Sequence, residues 1–144
     1  ALSFGATKNG ALCAEAVVFF DRTRAEEFAY RRKKAGHLVS KMRFISAQLQ
    51  AYLENDLWLA NARRANALAK VLGDGLSAIP GVTLATLVEA NGVFVEMDEP
   101  TLSRLHGLGW FVYRFLDGSV RFMCSWATTP ESVDEVLEAL RSLA

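Results

Sequence analysis

The chain has 144 residues, of which 51% are hydrophobic and 22% are charged. These proportions are typical of a globular protein, and the length allows one domain with a core, or one domain with part of another. Sixteen basic and sixteen acidic residues give no net charge, which argues against nucleic acid or an anionic membrane as a partner. No apolar run approaches the ~20 residues that span a bilayer, so no membrane partner is expected.

The first half of the chain predicts two strands and a helix. Residues 2–4 have the pattern of a strand end, and residues 14–20 that of a buried strand. A helix is predicted over residues 21–34, with Asp21 as its N-cap and Gly36 as its stop.

Two further helices are predicted from apolar spacing. Ser40 is the expected cap of a helix to about residue 55, and a third helix covers about residues 57–72, although the two could form one long bent helix. Gly73-Asp74-Gly75 and Pro80-Gly81 are expected to break helical structure.

The second half of the chain predicts short strands at residues 82–84, 90–97, 110–115 and 119–126. Asp117-Gly118 is a strong signal for a hairpin between the last two. A short helix is expected over residues 101–108, and a final helix begins at Thr129 and Pro130. Helices over an antiparallel sheet make an α+β layer domain.

Lys8 lies in a turn of small residues and glycine between two strand-like runs. Its amine could reach into a pocket and attach a carbonyl cofactor covalently. The alternative is a solvated lysine in a turn, and spacing alone favours that alternative.

Arg121 is the second candidate. On a strand, Val120 and Phe122 point to one face and Arg121 to the other. It could simply face solvent, or its planar guanidinium could bind a carboxylate through two parallel hydrogen bonds.

Other features carry weaker signals. The basic run that ends at Lys34, and Arg43 beyond it, is typical of a solvated helix face. His37 and His106 have no partner at metal-ligand spacing, so no metal site is predicted. Cys13 and Cys124 lie in apolar runs, which favours buried free thiols in a reducing compartment, such as the cytoplasm.

Three segments, in order, carry a resemblance to a known family. They are Thr7-Lys8-Asn9-Gly10 with residues 15–20, the stretch 31–44, and Val120-Arg121-Phe122-Met123-Cys124-Ser125-Trp126. Together they resemble the C-terminal portion of the low-specificity L-threonine aldolases, a family of pyridoxal-phosphate (PLP) enzymes in the beta-eliminating lyase group. The linker 35–41 lacks a glycine triplet common in that family and is similar to the branch that includes phenylserine aldolases.

The resemblance implies an α/β protein of PLP fold type I, the aspartate aminotransferase-like fold. Residues 1–52 would end its large PLP-binding domain, and residues 53–144 would form a small α+β domain with an antiparallel sheet. Lys8 would attach pyridoxal 5'-phosphate, Arg43 and Lys34 would line the cofactor phosphate site of a neighbouring subunit, and Arg121 would bind the substrate α-carboxylate.

The implied reaction is carbon–carbon lyase chemistry, in which L-threonine or a related β-hydroxy-α-amino acid such as phenylserine gives glycine and an aldehyde. The implied assembly is a cytoplasmic homo-oligomer, a dimer or tetramer, with shared sites. The family's ring-stacking and pyridinium-pairing residues precede the lysine, and the chain has no initiator methionine. We therefore expect a portion of a larger protein that is inactive alone.

Two alternatives stay open. One is another PLP enzyme of fold type I, an aminotransferase or β-eliminating lyase, because reaction type depends on groups outside this chain. The other is a non-catalytic α+β oligomerisation module in which Lys8 is only a turn residue.

Overall fold

A computed structural model describes residues 1–144 as two compact units, Ala1–Ala60 and Asn61–Ala144, called here the N-terminal and C-terminal units. The division predicted after residue 52 is a different one: it assigns residues 1–52 to the large domain of a larger enzyme and residues 53–144 to its small domain. That assignment stays a prediction. No helix in the structure has both the length and the apolar character needed to cross a bilayer.

The α-helices are α1 (Phe28–Lys34), α2 (Arg43–Leu53), α3 (Leu57–Ser77), α4 (Glu99–Gly107) and α5 (Pro130–Arg141). The strands are β1 (Leu2–Gly5), β2 (Glu15–Val18), β3 (Thr83–Leu84), β4 (Gly92–Glu96), β5 (Tyr113–Arg114) and β6 (Val120–Met123). Short 3-10 turns cover Thr7–Asn9, Arg22–Ala25 and Glu54–Asp56.

In the N-terminal unit, β1 and β2 pair antiparallel, and Phe4 lies opposite Ala16. The predicted burial of β2 is wrong for this unit, since Val17 is 45% exposed and Val18 41% exposed. The reason is that the two-stranded sheet has only a small apolar cluster against it. That cluster comprises Ala6, Ala14 and Tyr52, with Phe4, Ala11, Ile45, Leu49 and Trp58 packed on them.

The helix predicted over residues 21–34 is confirmed only in part. Asp21 accepts a hydrogen bond from the Thr23 amide, as a cap should, but it caps the 3-10 turn, and α1 begins only at Phe28. The predicted stop at Gly36 is confirmed. Gly36 has a φ of 77°, and the amide of His37 donates to the Arg32 carbonyl at 3.0 Å, which is the Schellman pattern.

Ser40 does not cap α2, which corrects the predicted start of that helix. Lys41 has a φ of 61°, so the chain turns sharply there, and α2 begins at Arg43 without a side-chain cap. Positive φ values of 53° at Asn55 and 56° at Asp56 separate α2 from α3. The structure therefore has two helices rather than one bent helix.

The predicted break at Gly73-Asp74-Gly75 is wrong, because α3 continues through it to Ser77. A Cβ added to Gly75 would lie 2.5 Å from Leu137 Cδ1, and one added to Gly73 would lie 2.7 Å from Val88 Cγ2. These glycines therefore permit close packing of the helix rather than ending it.

In the C-terminal unit, four antiparallel strands form a sheet in the order β3-β4-β6-β5. Each strand lies within its predicted run. The predicted hairpin is confirmed: the Phe115 amide donates to the Ser119 carbonyl at 2.7 Å, and Gly118 has a φ of 88°.

The final helix is also confirmed. Thr129 and Ser132 form a capping box, and Pro130 is the first helical residue. The buried face of α5 packs against one face of the sheet and against α3 and α4, and together they form the core of this unit. The core residues include Leu76, Val93, Val95, Leu105, Val120, Phe122, Leu137 and Leu140. This arrangement is the predicted α+β layer.

Candidate functional site

Lys8 is the middle residue of the 3-10 turn Thr7–Asn9, and its side chain is exposed in this chain. The turn begins at buried Ala6, whose amide donates to the Ala14 carbonyl at 2.8 Å. It ends at Gly10, which has a φ of 112° that favours glycine. The lysine is thus presented on a loop whose two ends are tied together.

The residues beside Lys8 fix the turn. Thr7 Oγ1 accepts from the Ala14 amide at 3.1 Å. Asn9 Nδ2 donates to the Tyr52 hydroxyl at 2.5 Å and to the Trp58 carbonyl at 3.0 Å. The role of Asn9 could not be predicted from the sequence, because its partners are far away in the chain.

Helix α2 supports the same loop from a second point. Gln48 Oε1 accepts from the amides of Leu12 and Cys13 at 3.0 and 3.1 Å. Cys13 is exposed, which corrects the expectation that it is buried. The loop that carries Lys8 is therefore bound to α2 through Gln48 and Tyr52.

Arg43 and Lys34 both lie at helix ends and both are exposed. Arg43 is the first residue of α2, and its guanidinium lies 5.1 Å from the centre of the Phe44 ring. Because Gln48 and Tyr52 are on the same helix, Arg43 stands on the element that supports the Lys8 loop. Lys34 is the last residue of α1. The structure gives it no hydrogen bond to that loop.

Arg121 lies in the C-terminal unit, on β6. The predicted alternation is confirmed, since Val120 and Phe122 are buried while Arg121 is half-buried on the opposite face. Its guanidinium carbon lies 4.8 Å from the centre of the Phe115 ring. Its Nε is buried and has no hydrogen-bond partner.

Arg121 also lines a cavity of about 320 Å³. The walls come from the segment Trp110–Tyr113, from β6 and from the start of α5. Cys124 contributes to the same wall, and burial raises the pKa of its thiol, so it stays protonated and unreactive at neutral pH. The arginine is therefore the charged group of this cavity.

The edge of the sheet beside Arg121 is held by a residue that sequence analysis missed. Arg114 donates from Nη1 to the Gly118 carbonyl at 2.7 Å, from Nη2 to the Met97 carbonyl at 3.1 Å, and from Nε to Glu99 at 3.1 Å. Its position in a predicted strand gave no indication of these partners.

Comparison with known proteins finds no matching family model. Two curated relatives are named low-specificity L-threonine aldolase. The one from Pseudomonas aeruginosa is 47% identical over 97% of this chain, and the one from Pseudomonas sp. (strain NCIMB 10558) is 48% identical over 99% of it. The chain spans 41% of the length of each.

Solved structures of PLP enzymes have the same fold as this chain. The threonine aldolase of Leishmania major superposes with a TM-score of 0.87 at 25% identity, over 98% of this chain and 42% of that one. The cystine C-S lyase C-DES, in a form with glycine covalently linked to its PLP cofactor, has a TM-score of 0.56 at 19% identity over 66% of this chain and 27% of its own. The resemblance found in the sequence and the fold expected from it are both confirmed.

Proposed function

We propose that this chain, as a C-terminal portion of the low-specificity L-threonine aldolase family, supplies the cofactor lysine and the substrate carboxylate site of a PLP-dependent carbon–carbon lyase. The reaction is the cleavage of L-threonine, or a related β-hydroxy-α-amino acid such as phenylserine, to glycine and an aldehyde. The observation that carries this proposal is the 47–48% identity to two aldolases over nearly the whole chain.

The residues present fit pyridoxal 5'-phosphate. Lys8 offers an exposed amine on a turn whose flanking residues are fixed by hydrogen bonds, which suits covalent attachment of an aldehyde cofactor. Arg43 and Lys34 are exposed cations suited to the cofactor phosphate. When bound, the cofactor supplies an electron sink for the electrons of the breaking Cα–Cβ bond.

Arg121 is proposed to bind the substrate α-carboxylate. A buried charged donor without a partner costs about 1–3 kcal/mol or more, so an acceptor that pairs with Nε is favoured. A carboxylate provides two oxygens that match the planar guanidinium. Holding the carboxylate fixes the rotation about the N–Cα bond of the substrate. The orientation that results selects which bond to Cα breaks.

The resemblance supports four further proposals. Residues 1–52 end the large PLP-binding domain, and residues 53–144 form the small domain. The enzyme is a homo-oligomer, a dimer or tetramer, in which Arg43 and Lys34 reach the cofactor phosphate of a neighbouring subunit. It is cytoplasmic. The isolated chain is inactive, because it spans only 41% of the length of the two aldolases.

Product analysis of the full-length protein tests the reaction. Incubation with L-threonine should release glycine and acetaldehyde in equal amounts. A keto acid would instead identify transamination or β-elimination. A protein that takes up no pyridoxal phosphate would indicate a non-catalytic module.

A further inference from the structure

Arg121 is surrounded by aromatic side chains on the outer face of the sheet. It pairs across the sheet with Phe94 on β4 and with Tyr113 on β5. Directly paired residues point to the same face, so these rings flank the arginine. The Phe115 ring lies under the guanidinium at 4.8 Å, and the Phe94 ring meets it edge-on at 5.9 Å.

The contact with Phe115 affects how a ligand can approach the guanidinium of Arg121. A guanidinium over an aromatic ring is attracted to the electron-rich ring face. One flat face of the guanidinium then lies against the ring, and its N–H groups lie in the guanidinium plane. The Nε of Arg121, which has no partner, lies in that plane. Along the N–H edge of the guanidinium, a carboxylate can accept two parallel hydrogen bonds.

Phe115 is itself held firmly. Its amide donates to the Ser119 carbonyl at 2.7 Å, and its carbonyl accepts from the Gly118 amide at 3.0 Å. Arg114 binds the same turn through the Gly118 carbonyl and ties it to the Met97 carbonyl. The ring thus projects from a braced turn.

We propose that Phe115 is a positioning residue: its ring sets the plane of the Arg121 guanidinium so that the N–H edge faces the substrate carboxylate. This inference rests on the proposed role of Arg121. Phe115 touches neither substrate nor cofactor in this role; it acts through the arginine.

The test uses the full-length protein with Phe115→Leu, which keeps an apolar side chain but removes the ring, and Phe115→Tyr, which keeps the ring. We expect Phe115→Leu to raise KM for L-threonine, and the dissociation constant for glycine measured by calorimetry, about 3- to 10-fold with little change in kcat. Phe115→Tyr should restore both values. If Phe115→Leu does not fold, Phe115→Met replaces it.

A role limited to packing would lower the melting temperature and leave KM unchanged. The matched control is therefore the same substitution in an Arg121→Ala background, where it should no longer affect glycine binding. Three outcomes would each overturn this inference without affecting the proposed function. The first is a KM and a glycine affinity that do not change in Phe115→Leu. The others are an equally large effect of Phe115→Leu on glycine binding in the Arg121→Ala background, and a KM in Phe115→Tyr that is as high as in Phe115→Leu. A wild-type protein that neither cleaves threonine nor binds glycine would instead overturn the proposed function, and this inference with it.

Discussion

The side chain of Asn9 donates a hydrogen bond to the hydroxyl of Tyr52 at 2.5 Å, across 43 positions of the chain. The same amide also donates to the Trp58 carbonyl. The residue next to Lys8 is therefore anchored to α2 and to the start of α3. This anchor holds the backbone from which the Lys8 side chain projects.

The Asn9 anchor can be tested by two substitutions of different severity. We expect Tyr52→Phe to lower the free energy of unfolding of the full-length protein by about 1 kcal/mol, because one hydrogen bond is lost. Asn9→Ala should lower it by about 2 kcal/mol, because both bonds are lost. Urea unfolding measures the difference. Equal effects would contradict the view that the Trp58 carbonyl shares in the anchor.

Lys8→Ala tests the cofactor attachment. In full-length protein it should abolish the mass increase at the Lys8 peptide after treatment with pyridoxal phosphate and borohydride. It should also lower kcat at least ~100-fold, since a positioned amine is lost. Lys70→Ala is the matched control, because Lys70 is exposed on α3 and pairs only with Asp74 in a surface ion pair. Labelling that persists without Lys8 would refute the assignment.

Arg121→Lys keeps the charge but removes the planar fork. We expect KM for L-threonine to rise about 10- to 100-fold, because a lysine cannot form two parallel hydrogen bonds with a carboxylate. Cofactor uptake, followed by absorbance, should not change. Arg141→Lys, at the exposed end of α5, should behave like the wild-type protein. A KM that stays near the wild-type value in Arg121→Lys would remove Arg121 from the substrate site.

Helical glycines provide a test of packing. An Ala at Gly75 would meet Leu137, which is buried and cannot easily move. We expect Gly75→Ala to lower the free energy of unfolding by about 1–2 kcal/mol, since overpacking outweighs the gain in helix propensity. At Gly107 a Cβ meets nothing within 4 Å. Gly107→Ala should therefore stabilise the protein by up to ~1 kcal/mol. Stabilisation of the same size at both sites would contradict the close packing.

The carboxyl groups of Asp98 and Asp117 should make the stability of the C-terminal unit depend on pH. Hydrogen bonds from Thr101 lower the pKa of Asp98, and hydrogen bonds from Ser119 lower the pKa of Asp117. Because each folded-state pKa lies below the unfolded value, their stabilisation is complete above about pH 4 and is lost as the pH falls through the lowered folded-state pKa.

The melting temperature of Asp98→Ala measures this effect. Its difference from the wild-type value should shrink as the pH falls below about 4. Asp98→Asn supplies the control, since its amide can still cap α4 but does not titrate. The difference between Asp98→Asn and Asp98→Ala should stay constant with pH. A wild-type advantage that persists in strong acid would contradict the prediction.

The features that depend on neighbouring residues could be predicted from the sequence. The cap at Thr129 and Pro130, the hairpin at Asp117-Gly118 and the outward direction of Arg121 are all local signals, and the structure confirms them. The family resemblance was also carried by short contiguous segments, around Lys8, over residues 31–44 and around Arg121.

The features that could not be predicted from the sequence depend on residues distant in the chain. Gly73 and Gly75 carry the same breaking signal as any glycine pair, and only the presence of Val88 and Leu137 against them explains why the helix continues. Asn9 and Phe115 likewise gain their roles from residues that the folded chain brings beside them.

The two outer strands of the larger sheet have a consequence for self-association. β3 and β5 are each two residues long, so either edge offers few unpaired amides and carbonyls. Long flat edges recruit strands from other molecules, and short ones do not. The larger sheet should therefore not extend readily into a neighbouring copy of the chain through either of its edges.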